Sequence, residues 1–405
     1  MEVVVLLIKI IEAIIFVYLG IASVYFFIYA FAGIFPIRHK KEIKDGFNKF
    51  AILIPGYKED TVIIDVAKDA LLQDYPKDKF EVVVIADSFK ESTLEELKKL
   101  SITLIEVSFE KSTKAKALTR AMDVLGDEYD VALILDADNL IEKDFTSKMN
   151  LAFNRGYKAV QGHRIAKNTN TAFAILDAVS EEVNNHIFRK GHRVLNMSCG
   201  LIGSGMAFDY KFFKTTMNNV FAVGGFDKEL ELKLSREKIM VEYLPHAYCL
   251  DEKVQDSGNF SNQRRRWLSA QVIYLRRYFF SGIYHLLAKG NLVFFDKMFQ
   301  MLQPPRILLL GFVTLLTLVH GIFFILGESL FNTPFITFFN WLVVFCLVYF
   351  SFMLAVPRKF YNKETLKAVL TLPKGFILMF ISLITIKGAN KKFIHTQHGT
   401  VNDKS

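Results

Sequence analysis

Cysteine is scarce in this chain of 405 residues: Cys199, Cys249 and Cys346 stand far apart and share no metal-ligand spacing. That excludes a disulfide framework and a thiolate metal centre, and it makes a reducing compartment the default. His163, His186, His192 and His246 lack metal spacing too, and each reads as a polar surface or satisfied core residue. No Walker loop is present, and GLIGSG (Gly200–Gly205) has the wrong spacing and place for a dinucleotide fingerprint. It reads as a tight loop. The chain has no internal repeat and no low-complexity segment. Its net charge of +9 is modest for the length and sits beside apolar stretches, which points to a membrane face and away from nucleic acid.

Apolar residues, by contrast, make up 52% of the chain, and Phe alone numbers 39. Three uncharged runs are long enough to cross a bilayer, namely Ala13–Ile37, Ile307–Leu326 and Leu330–Val356. The first exceeds a signal-peptide core and lacks a clear small-residue cleavage site, so an uncleaved anchor is expected. Arg38, Lys40 and Lys41 follow the first run, Arg306 precedes the second, and Arg358, Lys359 and Lys363 follow the third. The Gly327–Pro334 turn carries Glu328 alone. The positive-inside bias then predicts a multi-pass protein of the cell membrane, with residues 38–306 and the tail cytoplasmic and the N-terminus outside. Uncharged spans also speak against a transporter, whose pathway would need ionisable groups. Gly375–Ile386 is short, abuts Lys374, and would leave Lys387, Lys391 and Lys392 outside if it crossed. It reads as an interfacial or re-entrant helix. Tyr278–Phe299 reads as a helix lying on the membrane surface or packed on the soluble domain.

Within the soluble part, Phe50–Pro55, Phe80–Ile85, Ile102–Val107 and Val131–Leu135 are short apolar runs of the buried-strand type. Helical patterns separate them, at Thr61–Leu72, at Ser92–Leu100 with a capping box of Ser92 and Glu95, and at Lys114–Leu125. Asp144–Asn154 continues as a helix stopped by Gly156. Strands alternating with helices imply an α/β fold with a mostly parallel sheet. The most telling stretch is VALILDADNL (Val131–Leu140). An apolar strand runs into two carboxylates, Asp136 and Asp138, where strand ends face a ligand crevice. Two hard oxygen ligands there suit a divalent cation shared with substrate phosphates. The plain alternative is an acidic turn that caps the next helix. A phosphatase of the haloacid-dehalogenase type is a poor rival, because Asn139 fills the fourth position and three βα units precede the motif.

The order of elements narrows this further. IPGYKED follows the first strand, Asp87 ends the second, KAKAL opens at Lys114, and DADN ends the fourth. Downstream come GGFDKELELKL (Gly224–Leu234) and QRRRW (Gln263–Trp267). This series resembles the family 2 glycosyltransferases of GT-A fold, in their membrane-attached branch with a QxxRW motif, over roughly residues 50–267. The resemblance implies the following organisation: an N-terminal transmembrane helix (1–37), a cytoplasmic GT-A domain (38–275), interfacial helices (276–306), two transmembrane helices (307–356), and an interfacial or re-entrant helix with a basic tail (357–405).

It also implies roles. Tyr57, Glu59, Asp87, Lys114 and Asp136 match positions of the nucleotide and diphosphate pocket. Asp138, with Asp136, matches the ligands of a Mg²⁺ or Mn²⁺ ion. Gln263, Arg266 and Trp267 match QxxRW, near the acceptor and diphosphate. The plain alternative for Trp267 is a membrane-interface anchor, and for Arg264–Arg266 a lipid-facing basic cluster. The family usually places an Asp base in an ED pair. Aligning KELELKL on that pattern puts Glu229 at the base position and Lys228 before it, with Asp227 as rival, while the plain alternative is a helix start that favours acids. The implied reaction is inverting transfer of a sugar from a nucleotide-diphosphate donor, UDP-linked, to a polysaccharide or lipid-linked glycan. The alternative is an inactive glycosyltransferase-like scaffold that binds a glycan or a partner synthase. Three spans are few to enclose a polymer channel, which favours few-step addition, oligomers or an exporting partner.

Overall fold

The computed structural model describes residues 2–41, 43–218, 220, 225–255, 257–327 and 336–386. Gly224, the 328–335 part of the expected turn with Glu328, and Lys387, Lys391 and Lys392 with the rest of the tail lie outside them.

Eight strands form one sheet: β1 (Phe50–Tyr57), β2 (Phe80–Asp87), β3 (Thr103–Val107), β4 (Val131–Ile134), β5 (Leu140–Ile141), β6 (Ala159–Ala166), β7 (Met206–Asp209) and β8 (Val241–Asp251). Their spatial order is β3-β2-β1-β4-β7-β6-β8-β5. β1 pairs in parallel with β2 and β4, and β2 with β3. β7 then runs antiparallel to both β4 and β6, while β6 and β8 are parallel. The parallel half buries nearly every residue of β1, β2 and β4, as expected for a sheet covered on both faces. The observed strands sit within two residues of the expected ones at each end. The helix expected to start from a Ser92–Glu95 capping box instead spans Glu91–Leu97 with Lys90 at its cap position. Asp60, from the loop after β1, serves that end: its Oδ1 accepts from Lys90 N–H (2.9 Å) and from the Thr93 hydroxyl (2.7 Å). A tertiary partner has replaced the local one.

Among the described residues, three helices are long and apolar enough to cross a membrane: Glu2–Ala32 (apolar from Val3), Arg306–Ile325 and Phe338–Ala355. A fourth pair, Lys363–Val369 and Leu372–Ile384, is bent by 45° at its break. The first helix begins eleven residues before the expected Ala13 and ends five before Ile37, so it takes in Lys9 and Glu12. The sequence reading of uncharged spans is corrected there. Glu12 is buried against His320 of the Arg306–Ile325 helix, with 2.9 Å between Oε1 and Nε2. Low polarity around such a pair makes each partner depend on the other.

These helices are bolted to the sheet domain. Ala172–Asn184 runs into a π-helical stretch, Asn185–Gly191. A Cβ on Gly191 would fall 2.1 Å from the Tyr29 carbonyl, so glycine is what lets the two backbones touch. Beside it, Tyr25 donates to Asp296 (2.7 Å), and His192 stacks on Tyr29 with ring centroids 3.6 Å apart. The 33-residue helix Ser257–Lys289, which carries the QRRRW segment from its seventh residue, packs with Leu292–Leu302 and passes through the 275/276 boundary expected from sequence. Phe280, Tyr284 and Leu287 on it are exposed.

Candidate active site

The carboxyl ends of β1, β2, β4, β6 and β8 open into one cavity of about 580 Å³, within the ~300–1,000 Å³ usual for small-molecule sites. Tyr57, Glu59, Asp87, Lys114, Asp136, Asp138, Gln263, Arg266 and Trp267 all line it. Nine of the ten residues singled out in the sequence thus meet in one place.

The strand ends are held in unusual backbone. Lys58 and Ser88, which follow Tyr57 and Asp87, have φ of +56° and +61°, a region non-glycine residues rarely adopt. Lys58 N–H donates to the Asp87 carbonyl (3.1 Å), and the Ser88 hydroxyl donates to the Asp87 carboxylate (3.0 Å). The first of these bonds ties the two strand ends together, and the second holds the Asp87 carboxylate from within its own turn.

The carboxylate cluster is built from the turn after β4 and from the end of β8. Asp136, Asp138 and Asp251 each offer an oxygen, and the three lie within 4.8 Å of one another. Asn139 knits them together: its Oδ1 accepts from Asp136 N–H (3.0 Å), and its Nδ2 donates to Asp251 (3.2 Å). Asp138 Oδ2 accepts from Glu252 N–H (3.1 Å). Three hard oxygen donors this close fit a divalent cation such as Mg²⁺ or Mn²⁺. In this structure cations of the chain balance them. Lys114 bonds to Asp136 and to the Gly203 carbonyl (2.8 Å for the latter), and Lys253 pairs with Asp251 (2.8 Å). Burial alone would raise the Asp251 carboxyl, but Arg164 and Lys253 outweigh it and hold it below the usual range.

Glu229 is the exception among the expected site residues. It does not line the cavity, and it is buried on another face of the Phe226–Arg236 helix, paired with Lys233 (3.3 Å) and Arg277 (3.5 Å). A helix turns about 100° per residue, and here Asp227, Lys228 and Glu231 face the cavity instead. The two carboxylates differ in chemistry. Glu231 accepts from Lys228 (3.0 Å) and from Leu201 N–H (3.0 Å), and it is ion-paired with Lys297 (2.9 Å). Burial would raise it, but the two lysines bring its carboxyl down to about 2. Asp227 goes the other way: burial pushes it above the ordinary carboxylate range despite Lys228 and Lys114.

Asp251, Arg164 and Lys253 were not singled out in the sequence. VEYLPHAYCLD (Val241–Asp251) repeats the signature of VALILD, an apolar run ending in an acid, but a proline and a histidine break its pattern. Arg189, Lys297 and Arg306 also line the cavity. They come from three helices remote in sequence, and no local signal marks them.

A sequence model described as "Glycosyltransferase like family 2" matches residues 48–270. A poly(ribitol-phosphate) beta-N-acetylglucosaminyltransferase, TarS of Staphylococcus aureus, is 30% identical over 98 residues, covering 24% of this chain and 17% of the relative. The chain thus matches a small part of that curated protein's length. Among solved structures, the mannosyltransferase PcManGT of Pyrobaculum calidifontis, in complex with GDP-Man and Mn²⁺, superposes with a TM-score of 0.52 at 15% identity, over 93% of this chain and 98% of that one. Residues 1–349 of S. aureus TarS with UDP-GlcNAc give a TM-score of 0.41 at 16% identity, over 85% and 91%. With more than half its length matched by the family's own sequence pattern, and that half carrying the carboxylate-lined crevice, this chain belongs to glycosyltransferase family 2.

Proposed function

We propose that this enzyme is a membrane-bound, metal-dependent, inverting glycosyltransferase that moves a sugar from a nucleotide-diphosphate donor, UDP-linked, to a hydroxyl of a polysaccharide or lipid-linked glycan. The observation that carries this reading is the convergence of Asp136, Asp138 and Asp251 in the cavity that also holds Tyr57, Glu59, Asp87 and Lys114. A curated relative named as an N-acetylglucosaminyltransferase and a similar structure holding GDP-Man with Mn²⁺ support a sugar-nucleotide donor and a divalent ion.

A Mg²⁺ or Mn²⁺ ion held by Asp136, Asp138 and Asp251 would neutralise charge on the donor's diphosphate. Tyr57, Glu59 and Asp87 bind the nucleoside portion. Lys114 and Arg266 donate to phosphate oxygens, Arg266 through its two-pronged guanidinium. Asp227, rather than Glu229, takes the acceptor's proton, because it faces the cavity and its raised pKa suits a base. The acceptor oxygen forms its bond to the anomeric carbon as the bond from that carbon to the diphosphate oxygen breaks. The electron pair leaves with the nucleoside diphosphate, and attack from the opposite face inverts the centre. Half-exposed Trp267 presents its ring to a sugar face. Gln263 Oε1, which has no hydrogen-bond partner among the described residues, accepts from a sugar hydroxyl.

The same reading divides the chain into an anchor (1–37), a cytoplasmic catalytic domain (38–275), interfacial helices (276–306), two spans (307–356) and a C-terminal interfacial or re-entrant part (357–405). The three long apolar helices and the basic residues flanking them support that division and orientation. The test is release of nucleoside diphosphate from a panel of UDP-sugars and GDP-mannose, with Mn²⁺ or Mg²⁺. Metal-dependent release with one donor supports the proposal. Failure to bind any nucleotide or nucleotide sugar would overturn it.

A further inference from the structure

The charges lining the cavity are unevenly distributed. At the strand end carboxylates are in excess: Glu59, Asp87, Asp136, Asp138 and Asp251 stand with Lys114, Arg164 and Lys253. That end calls for a cation. Toward the membrane helices the balance reverses, with Arg189, Lys228, Arg264, Lys297 and Arg306. Their acids are shared. Glu231 serves both Lys228 and Lys297, Asp177 serves Arg264, and Glu181 serves Arg189 (2.9 Å) as well as Arg164 (2.9 Å). Asp227 adds to the field at Lys228, so with Arg266 included four carboxylates face six cations of this end.

Arg306 is the cation left over. Its Nη2 donates to the Ser180 hydroxyl (2.9 Å) and carbonyl (3.2 Å), both uncharged. Its Nη1 is buried with no hydrogen-bond partner among the described residues. Arg264 and Arg189 stand near it, as do Glu181 and Asp177, but those acids already pair with Arg189 and Arg264, and a guanidinium without its own carboxylate is unfavourable there unless an anion joins. Arg306 is also the first residue of a helix apolar enough to span the membrane. The surplus positive charge therefore stands where the cavity meets the bilayer boundary. Next to it, Trp267 lies against the Arg264 guanidinium, 4.4 Å from ring centroid to carbon, and Phe188 and Met301 add apolar lining.

We infer that the acceptor is a phosphate-bearing lipid, whose phosphate is held by Arg306 and Arg264 at the membrane end of the cavity while its glycan reaches Asp227. This rests on the glycosyltransferase reading and narrows its acceptor class. The phosphate is a recognition group, and the nucleophile remains a sugar hydroxyl. A guanidinium pair suits it because each offers two parallel donors to a tetrahedral anion.

Equilibrium binding to purified full-length protein in nanodiscs tests this with three probes: a long-chain polyprenyl phosphate, the matching polyprenol, and inorganic phosphate. The expected result is that polyprenyl phosphate binds at least tenfold more tightly than either control, and together with a non-hydrolysable donor analogue. Arg306→Gln should erase the preference for the phosphate over the alcohol, and Arg306→Lys should restore part of it. Donor-analogue binding, measured on each preparation, reports whether the variant is folded. Equal binding of phosphate and alcohol overturns the inference, as does inorganic phosphate binding as tightly as the lipid. Exclusion of polyprenyl phosphate by the donor overturns it too, since the cations would then belong to the donor's diphosphate. If polyprenyl phosphate behaves as expected but no sugar nucleotide binds, the enzymatic proposal falls and the lipid site stands. Donor binding without a phosphate preference removes the lipid site alone.

Discussion

At the strand end of the cavity, Asp251 closes β8, and Asp136 and Asp138 sit with one residue between them in the turn from β4 to β5. At the membrane end, Arg189, Lys297 and Arg306 arrive on a π-helical stretch, a short amphipathic helix and the start of an apolar one. The first cluster is set by the flanking strands β4, β5 and β8, with Asn139 tying the turn to Asp251. The second depends on how whole helices dock, including the close approach of Gly191 to the first helix. The difference teaches where each kind of chemistry is placed. The carboxylates sit at the end of β8 and in the turn after β4, and these cations sit on helices far apart in sequence.

The sharpest way to break this comparison is at the sheet. Asp138→Ala should abolish metal-dependent release of nucleoside diphosphate, down to the level of the wild type with chelator, as read by a Mn²⁺ titration. Retained metal dependence would mean that Asp136 and Asp251 suffice. Next comes Asp227→Asn, which should lower kcat by the ~10²–10⁴-fold typical of a lost general base, with donor affinity little changed. Glu229→Gln should cost far less, since that side chain faces Lys233 and Arg277. The reverse ranking in steady-state kinetics would return the base to Glu229.

On the helix side the expected effects are on stability. Lys297→Met removes one of two cations from a Glu231 carboxylate that is nearly fully buried. The cost should be about 3 kcal/mol, at the low end for breaking a buried pair because Lys228 remains, measured by thermal or chemical unfolding in detergent. The Glu231 carboxyl is depressed to about 2. The stability it contributes is therefore present above its unfolded pKa, near the usual Glu value, and disappears as pH falls toward 2. The smallest effect is a shift of a pH profile. Asp227 acts only when ionised, and Lys228 opposes its upward shift. Lys228→Met should thus move the acid limb of kcat/KM to higher pH, and an unmoved limb would argue against Asp227 as base.

Elements whose signal is local were readable before any coordinates. The strands at Phe50, Phe80 and Val131 announce themselves through apolar runs that end in polar residues, and Lys114–Leu125 was placed to the residue by its own periodicity. The capping box at Ser92 is not formed, because the helix starts earlier, at Glu91, where Asp60 from another loop accepts from Lys90 N–H and the Thr93 hydroxyl. The first apolar helix extends past Lys9 and Glu12, since a charge ends an apolar run on paper but not a helix that buries Glu12 against His320. Glu229 shows the limit most clearly. Its place in a motif is a linear property, whereas the face it takes depends on the rotation of the Phe226–Arg236 helix about its axis.

The sequence alone determined the parallel half of the sheet, the apolar helices and the carboxylates at the end of β4, because alternation of strand and helix and burial of apolar runs act over short stretches of chain. Tertiary structure decided what joins them: Asp251 as the third carboxylate, Asp227 rather than Glu229 at the cavity, and the cations of the membrane end. Those depend on angles between helices and on register across the sheet. Long-range packing sets both, and no window of sequence contains it.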